Sequence, residues 1–307
     1  MKRVIRYDIT EEFHGMLVKE VLHRHFGLST RQVSRLKFQP DGILVDGQHA
    51  TVRHILQTGQ VLTLCLEQED CGSDHLEPVE EPLDIRYEDE DMLLLYKPAG
   101  IVVHPSHGHY KDSLANLLVY HYGQQGKHLV VRPVGRLDKD TSGLIIIAKH
   151  GAASAMFDRQ RRDGHLGRTY LALVEGCPAA LSGTIDAPLG RVEGSLILRQ
   201  VRSDGETART DYEVICPGTD YSLVRLKLHT GRTHQIRVHM AHLGHPLVGD
   251  PFYGTEGSHG IHRAALHSWQ ITCRQPITGE AMHFVSELPE DMRHLCEGAG
   301  FTIPTLK

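Results

Sequence analysis

The sequence VVRPVGRLDKDTSGLIIIAK, residues 130–149, places a polar loop directly before an aliphatic run. The aliphatic run predicts a buried strand. Charged side chains beside such a strand cost free energy unless they are paired. Arg136, Asp138 and Asp140 therefore indicate either structural salt bridges or a functional site. The polar residues before Gly143 also suit a hydrogen-bonded turn.

Outward from this loop, the chain alternates short apolar runs with amphipathic segments. The apolar runs at 92–97, 144–149 and 169–174 predict strands, whereas residues 113–122 and 152–162 predict helices. Residues 221–229 alternate apolar with basic side chains, because Val224, Leu226 and Leu228 are separated by Arg225 and Lys227. This alternation predicts a strand with one core face and one basic face.

The N-terminal part predicts two short helices followed by a hairpin. Apolar residues recur at helical spacing from Phe13 to Phe26, and Gly27 suits the left-handed position that ends a helix. Ser29 followed by Gln32 is a capping box that begins the second helix. The sequence ILVDGQ then predicts a tight turn between two strands.

The second of these helices carries basic side chains on its outer face. Arg31 and Arg35 lie four residues apart, and Lys37 follows closely. Two short helices with this basic face and a following hairpin resemble the small RNA-binding domain named after ribosomal protein S-four. The resemblance implies that Arg31, Arg35 and Lys37 contact RNA, and the alternative is an ordinary solvated helix face.

The charge of the chain is distributed unevenly. The chain has 307 residues and a net charge of −5, which by itself argues against a polyanionic partner. Residues 67–91, however, hold twelve acidic residues and one arginine, so the remainder carries a net charge of +6. This acidic stretch also contains glycine, serine and proline, and it predicts a solvated linker between two folded units.

Composition excludes several classes of protein. No apolar run approaches the roughly 20 residues of a membrane span, and no apolar segment of a secretory signal follows the N-terminus. The six cysteines are scattered without C-x-x-C spacing, which indicates neither a zinc ribbon nor a disulfide framework. We expect a cytoplasmic protein.

Four ordered motifs resemble the RluA-type pseudouridine synthases, which isomerise uridine in structured RNA. GRLDKDTSG matches the Arg-Leu-Asp signature of that family. The other three are YKPAGIVVHP at 96–105, RTYLALVEG at 168–176 and LHTGRTHQIRVHMAHLGHPLVGDPFYG at 228–254. One departure is Gly135, because many members have His at this position.

The resemblance implies the fold and the division of the chain. We expect an α+β protein, with a mixed, largely antiparallel sheet, flanking helices and a small N-terminal RNA-binding domain. Residues 1–70 would form the S-four-like domain, residues 71–84 the acidic linker and residues 85–307 the catalytic domain.

The resemblance also implies roles for individual residues. Asp138 would be the catalytic nucleophile, Tyr170 the aromatic residue that contacts the target base, and Arg237 the cation paired with Asp138. Arg136 would fill the gap left by the flipped nucleotide. Arg232 is expected to contact RNA and is also an alternative partner for Asp138. Without the resemblance, Tyr170 is an ordinary core tyrosine and Arg237 a surface arginine.

The chemistry agrees with these residue types and leaves some alternatives open. A carboxylate can attack the sugar or stabilise a cationic sugar, as in glycosidases, and the sequence does not separate direct attack from a glycal route. The isomerisation needs no cofactor. We expect a monomer that acts on structured RNA, either large-subunit ribosomal RNA or transfer RNA, with a catalytically silent RNA-binding or ribosome-assembly factor as the alternative.

A metal site is the remaining alternative. Four histidines fall within twelve residues, His234, His239, His242 and His245, and His239 with His242 has a spacing that zinc sites on helices use. There is no H-E-x-x-H pattern and no adjacent carboxylate to act as a general base. We therefore expect no metal.

Overall fold

The computed structural model describes residues 3–66, 73, 75–106 and 108–303. Two main β-sheets organise these residues, one of four strands near the N-terminus and one of ten strands. A separate two-stranded hairpin completes the set of sheets in the described residues.

The first sheet has the strand order β1-β4-β2-β3 and packs against two helices. Its elements are β1 (Arg3–Asp8), α1 (Val18–Arg24), α2 (Thr30–Phe38), β2 (Ile43–Val45), β3 (Gln48–His49) and β4 (Val61–Leu66), with a short 3-10 helix at Glu11–Phe13.

Local sequence signals account for most of these boundaries. The capping box predicted for α2 is present, because the Ser29 backbone N–H donates to Gln32 and the Gln32 backbone N–H donates to the Ser29 hydroxyl. Asp46 and Gly47 both have positive φ, 52° and 79°, as a tight hairpin turn requires. Helix α1 is shorter than predicted, since Gly15 has a φ of 77° and interrupts the helical backbone.

The second sheet has the order β10-β13-β14-β9-β15-β8-β6-β5, with β16 beside β15 and β7 beside β8. Its strands are β5 (Asp84–Glu88), β6 (Met92–Lys97), β7 (Arg132–Pro133), β8 (Ser142–Ala148), β9 (Gly167–Glu175), β10 (Ser182–Asp186), β13 (Arg209–Cys216), β14 (Tyr221–Leu228), β15 (Leu266–Arg274) and β16 (Ala281–Val285). Only β8 and β15 pair in parallel among the described strands. The expected mixed, largely antiparallel α+β fold is confirmed.

The remaining elements flank this sheet or lie beside it. They are the hairpin of β11 (Leu189–Arg191) and β12 (Arg199–Val201), a short 3-10 helix at Ser258–Gly260, and the helices α3 (Leu114–Gly123), α4 (Gly151–Arg162), α5 (Gln235–His242) and α6 (Glu290–Gly298).

Strand register decides which side chains share a face of the large sheet. Tyr170 of β9 lies opposite Leu226 of β14, and both belong to one core cluster. Thr169 and Lys227, one residue away on each strand, face the other side because side chains alternate along a strand. Gly143 allows β8 to approach β15 closely, since a Cβ at that position would collide with the Ser268 backbone. The loop before β8 is thereby held against β15.

The two sheets are joined by apolar and ionic contacts. Ala152 and Met156 of α4 belong to the same buried cluster as the N-terminal core. Arg3 of β1 donates to both carboxylate oxygens of Asp91, at 2.7 and 3.0 Å, and Asp91 is 1% exposed. Gln275 also donates to Asp91, at 2.7 Å. The N-terminal unit is therefore packed against the large sheet at the end where β6 begins.

The acidic stretch differs from the predicted solvated linker. Residues 67–72 and 74 lie outside the described residues. Beyond them, Leu76 is buried in the main core cluster, and the Val131 backbone N–H donates to the Ser73 hydroxyl. The Asn116 amide of α3 donates to the Glu77 carbonyl oxygen at 2.7 Å. The described part is attached to the second unit because it supplies its own apolar anchor and backbone acceptors.

The sequence predicted neither a membrane span nor a disulfide framework. In the described ranges no helix combines the length and hydropathy needed to cross a bilayer. Five of the six cysteines are described, and each is a free thiol. Cys71 lies outside the described residues.

Candidate active site

One pocket gathers residues from four segments that are distant in sequence. The loop before β8, the start of β9, the turn between β14 and α5, and the start of β15 all contribute to its lining. Its polar side chains include Asp138, Tyr170, Arg136, Arg232 and Arg168. Four of these residues were predicted as site residues from the sequence, and the fold brings them together.

Lys97 holds the backbone of the Asp138 loop. Its side chain is fully buried, and its ammonium group donates to the carbonyl oxygens of Pro98, Ile101 and Lys139 at 2.8 to 2.9 Å. Burial lowers the pKa of Lys97 to about 7, although the carboxylates of the loop oppose this shift. The lysine thus ties the turn after β6 to the residue that follows Asp138.

Arg263 holds the same loop through a different backbone carbonyl oxygen. Its guanidinium forms a bidentate ion pair with Asp291 of α6, at 2.7 and 2.8 Å. The remaining nitrogen, Nη1, donates to the Asp140 carbonyl oxygen at 3.0 Å. Two buried or nearly buried cations therefore fix the loop through backbone carbonyl oxygens and do not neutralise Asp138 directly.

The expected ion pair between Asp138 and Arg237 is wrong for this structure. Arg237 is 3% exposed and forms a bidentate pair with Asp250, at 2.7 and 2.6 Å. Burial acts to lower the pKa of Arg237, but Asp250, and at longer range Asp138, raise it above its usual value. The alternative partner, Arg232, pairs with Glu206. The sequence analysis identified the arginines as candidates but did not identify Asp250, thirteen residues after Arg237, as the ion-pair partner.

The Asp138 carboxylate itself is left available. Within the described part of the chain, no hydrogen bond or ion pair reaches its oxygens. The charges of Lys97 and Arg237 nevertheless interact with it. A carboxylate whose oxygens have no partner in the described chain is available to act on a ligand.

Tyr170 and His234 both interact with the charge of Asp138. Burial raises the pKa of the Tyr170 hydroxyl, and the charge of Asp138 adds to this effect while Arg168 opposes it. The phenol is therefore protonated near neutral pH and can stack or donate, but it is a poor base. His234 has a φ of 57° and shares a 2.9 Å hydrogen bond with the Tyr253 hydroxyl. Burial lowers the pKa of His234, which favours the neutral ring.

Arg168 is a pocket residue that sequence reasoning missed. It is 7% exposed, and its guanidinium lies between the backbones of Gly135 and Gly231. A Cβ at Gly135 would lie 2.8 Å from Nη1, and one at Gly231 would lie 3.2 Å from Nη2. The signal was its spacing, since a residue two before Tyr170 on a strand shares its face. The glycine that departs from the family pattern leaves room for this arginine.

The predicted RNA-contacting residues lie in two places. Arg136 lies at the pocket, where its guanidinium donates to the Thr233 hydroxyl at 2.9 Å. Arg31, Arg35 and Lys37 are exposed on α2, far along the chain from the pocket. A neighbouring aromatic ring, Phe38, is 76% exposed.

The basic face predicted for residues 221–229 does not lie at the pocket. Leu228 lines the pocket, whereas Arg225 and Lys227 line a groove on the opposite face of the sheet. Arg225 is also paired with Glu213. Strand alternation therefore separates these basic side chains from Arg136 and Arg232 at the pocket.

The closely spaced histidines have separate partners. His239 shares hydrogen bonds with the Thr210 hydroxyl and the Ala187 carbonyl oxygen, both at 2.9 Å. His245 bonds the Glu175 carbonyl oxygen at 2.8 Å. Over the described ranges, no group of three or more His, Cys, Asp or Glu side chains is arranged to hold a metal ion.

Comparison with known proteins places this site in a family. Residues 91–242 match the family model described as RNA pseudouridylate synthase. An uncharacterized RNA pseudouridine synthase of Bacillus subtilis, YjbO, is 42% identical over 284 residues, covering 92% of this chain and 99% of that relative. Ribosomal large subunit pseudouridine synthase D of Zymomonas mobilis is 43% identical over 235 residues, covering 72% of this chain and 74% of the relative.

One further relative and one solved structure are also similar to this chain. Ribosomal large subunit pseudouridine synthase D of Pseudomonas aeruginosa is 40% identical over 265 residues, or 82% of each chain. The solved structure of human RNA pseudouridylate synthase domain containing 4 has the same fold, with a TM-score of 0.60 at 20% identity over 72% of this chain and 95% of that chain. On identity over almost its whole length, and with the motif residues gathered in one pocket, this chain belongs to the RNA pseudouridine synthase family.

Proposed function

We propose that this enzyme isomerises specific uridines in large-subunit ribosomal RNA. The observation that carries the proposal is the pocket in which Asp138, Tyr170 and Arg136 meet. Two relatives named for the large ribosomal subunit are 43% and 40% identical, which supports this choice of RNA. Transfer RNA is the alternative substrate.

The residues of the pocket suggest a division of work. The target uridine must leave the base stack, at a cost of a few kcal/mol, and Arg136 at the exposed mouth is proposed to occupy its place. Tyr170 contacts the extruded base. The Asp138 carboxylate acts on the sugar, by attack at the C1′ carbon or through a glycal.

Contacts outside the pocket are proposed to hold the RNA. Residues 1–70 act as an S-four-like RNA-binding domain, with Arg31, Arg35 and Lys37 on its exposed helix. Arg232 contacts the RNA beside the pocket. Such contacts to phosphates position an RNA without reading its sequence. We propose that residues 71–84 connect this domain to the catalytic domain, that no metal or cofactor takes part, and that the protein works in the cytoplasm as a monomer.

The test is pseudouridine mapping of total RNA from strains with and without the gene. We expect at least one uridine of large-subunit ribosomal RNA to lose its modification in the deletion strain. Purified protein should restore it in vitro, and the Asp138→Asn variant should not. Loss of pseudouridine from transfer RNA alone would show that transfer RNA, and not ribosomal RNA, is the substrate. RNA binding without conversion at any position would instead favour a ribosome-assembly factor.

A further inference from the structure

Arg168 is a buried cation without a partner. Its side chain lies in the pocket with Asp138 and Tyr170 and is 7% exposed. No hydrogen bond or ion pair to its guanidinium occurs among the described residues. Burying a charge costs free energy unless the charge is paired. An unpaired buried arginine therefore indicates a ligand that accepts its hydrogen bonds.

The surroundings of Arg168 are built to hold a guanidinium. The backbones of Gly135 and Gly231 approach its two terminal nitrogens so closely that a Cβ at either position would lie 2.8 or 3.2 Å away. Gly135 also has a φ of 89°, which favours glycine. Two loops that carry site residues therefore confine Arg168 to one place.

The reaction of the proposed function generates an anion inside this pocket. The N1–C1′ bond breaks with its electron pair on the departing uracil. Either C1′ then bonds to an Asp138 oxygen, or the C2′ carbon gives its proton to the Asp138 carboxylate and the sugar becomes a glycal. The negative charge of uracil is shared by N1 and the two carbonyl oxygens. The C5 carbon then bonds to C1′ in both routes. In the first route the Asp138 oxygen leaves C1′, and in the glycal route the C2′ carbon regains its proton from Asp138. Finally C5 loses its proton and N1 gains one, so the product is an isomer.

We propose that the Arg168 guanidinium binds a carbonyl oxygen of uracil and stabilises the uracil anion as the glycosidic bond breaks. This role rests on the proposed function. A fixed donor aimed at developing charge lowers a barrier more than one that binds substrate and transition state equally.

An RNA phosphate is the other anion that an arginine could bind. The phosphates of a flipped nucleotide stay with the backbone, at the mouth of the pocket, where Arg136 is exposed and Arg232 is partly exposed. Arg168 is more deeply buried and shares the face of Tyr170, the residue proposed to contact the base. Its depth therefore assigns it to the base.

The first experiment measures single-turnover conversion and RNA affinity for Arg168→Met and Arg168→Lys, with Arg162→Met as the control on the exposed last turn of α4. The substrate is a transcript of large-subunit ribosomal RNA. Arg168→Met should slow conversion about 10²- to 10³-fold, while RNA affinity changes by less than about threefold. Arg168→Lys should recover part of the rate, and Arg162→Met should match the wild type.

Thermal unfolding separates this role from a structural one. Because Arg168 has no partner to lose, the melting temperature of Arg168→Met should equal or exceed that of the wild type. A large fall in melting temperature that accounts for the lost rate would overturn the assignment.

The second experiment changes the leaving group. The same transcript is made with 5-fluorouridine, because fluorine stabilises the uracil anion, and consumption of 5-fluorouridine is followed in nuclease digests. The defect of Arg168→Met should shrink to about tenfold or less, since a more stable anion needs less help. An equal defect on both transcripts, or a loss of affinity with an unchanged rate, would contradict uracil binding. Wild-type protein that converts neither transcript would instead show that the proposed RNA is wrong.

Discussion

The Asp138 loop and helix α2 both carry charge, but they use it differently. The loop is held by Lys97 and Arg263, whose donors reach backbone carbonyl oxygens in the interior. The basic side chains of α2, by contrast, are exposed to solvent. Buried charges are costly and must be fixed by geometry, whereas exposed charges are screened and adaptable. The comparison teaches that the interior should control the rate and the helix should control affinity.

Replacing the proposed nucleophile, Asp138, tests the first half of this comparison most strongly. Asp138→Asn keeps the size of the side chain but removes its charge and nucleophilicity, so conversion should fall by at least about 10³-fold. RNA binding should stay within a few fold. Tritium release from C5-labelled RNA measures the rate, and filter binding measures affinity. Substantial turnover by this variant would remove Asp138 from the role.

Asp250 is expected to have the largest effect on stability. Asp250→Asn leaves the buried Arg237 without its ion-pair partner, which should lower the free energy of unfolding by about 3–5 kcal/mol. Urea denaturation provides the measurement. The matched control is Glu213→Gln, which breaks the exposed pair with Arg225 and should change stability by about 0–1 kcal/mol. Equal effects of the two substitutions would contradict the contrast between buried and exposed pairs.

Lys97 is expected to make the free energy of unfolding depend on pH. The pKa of Lys97 is lowered to about 7 in the fold, so above that pH the unfolded chain binds a proton that the folded chain does not. The contribution of this group to stability therefore rises with pH from about 7 toward the unfolded value, by up to ~1.4 kcal/mol per pH unit.

Urea denaturation of the wild type and Lys97→Met at pH 6, 7, 8 and 9 measures this slope. The difference in unfolding free energy should grow in favour of the wild type above pH 7 and stay level below it. The matched control is Lys227→Met on the exposed sheet face, for which no such trend is expected. A constant difference from pH 6 to pH 9 would show that Lys97 does not lose its proton in this range.

The smallest effect is expected on α2. Changing Arg31, Arg35 and Lys37 together to Gln should weaken RNA binding about tenfold and reduce the dependence of affinity on salt by about three ion contacts. The single-turnover rate at saturating RNA should stay the same. Affinity titrations across salt concentrations make the measurement. An unchanged affinity would assign the N-terminal unit another purpose.

Much of the fold was readable from local signals. The Ser29 and Gln32 capping box, the Asp46-Gly47 turn and the apolar runs of β6, β8 and β9 each act over a few residues, and each predicted its element. Tyr170 and Asp138 were predicted as site residues from motifs that are continuous in sequence, and both line the pocket. These features are local, because capping, turn geometry and strand alternation depend on neighbours in the chain.

Partners that are distant in sequence were beyond such reasoning. The pairing of Arg237 with Asp250, the contact of Arg263 with the Asp140 carbonyl oxygen and the position of Arg168 follow from how strands and loops pack. Residue types alone could not choose among several carboxylates for one arginine, since any of them would satisfy the charge.

The sequence by itself determined the elements, the four motifs and the chemistry that a carboxylate, a tyrosine and arginines permit. Only the tertiary structure decided that the Asp138 carboxylate has no ion-pair partner in the described chain while an unpaired Arg168 lies beside it. The physical reason is that an ion pair depends on distance and burial. Both are set when separate segments pack together, and neither is encoded in the order of residues along one segment.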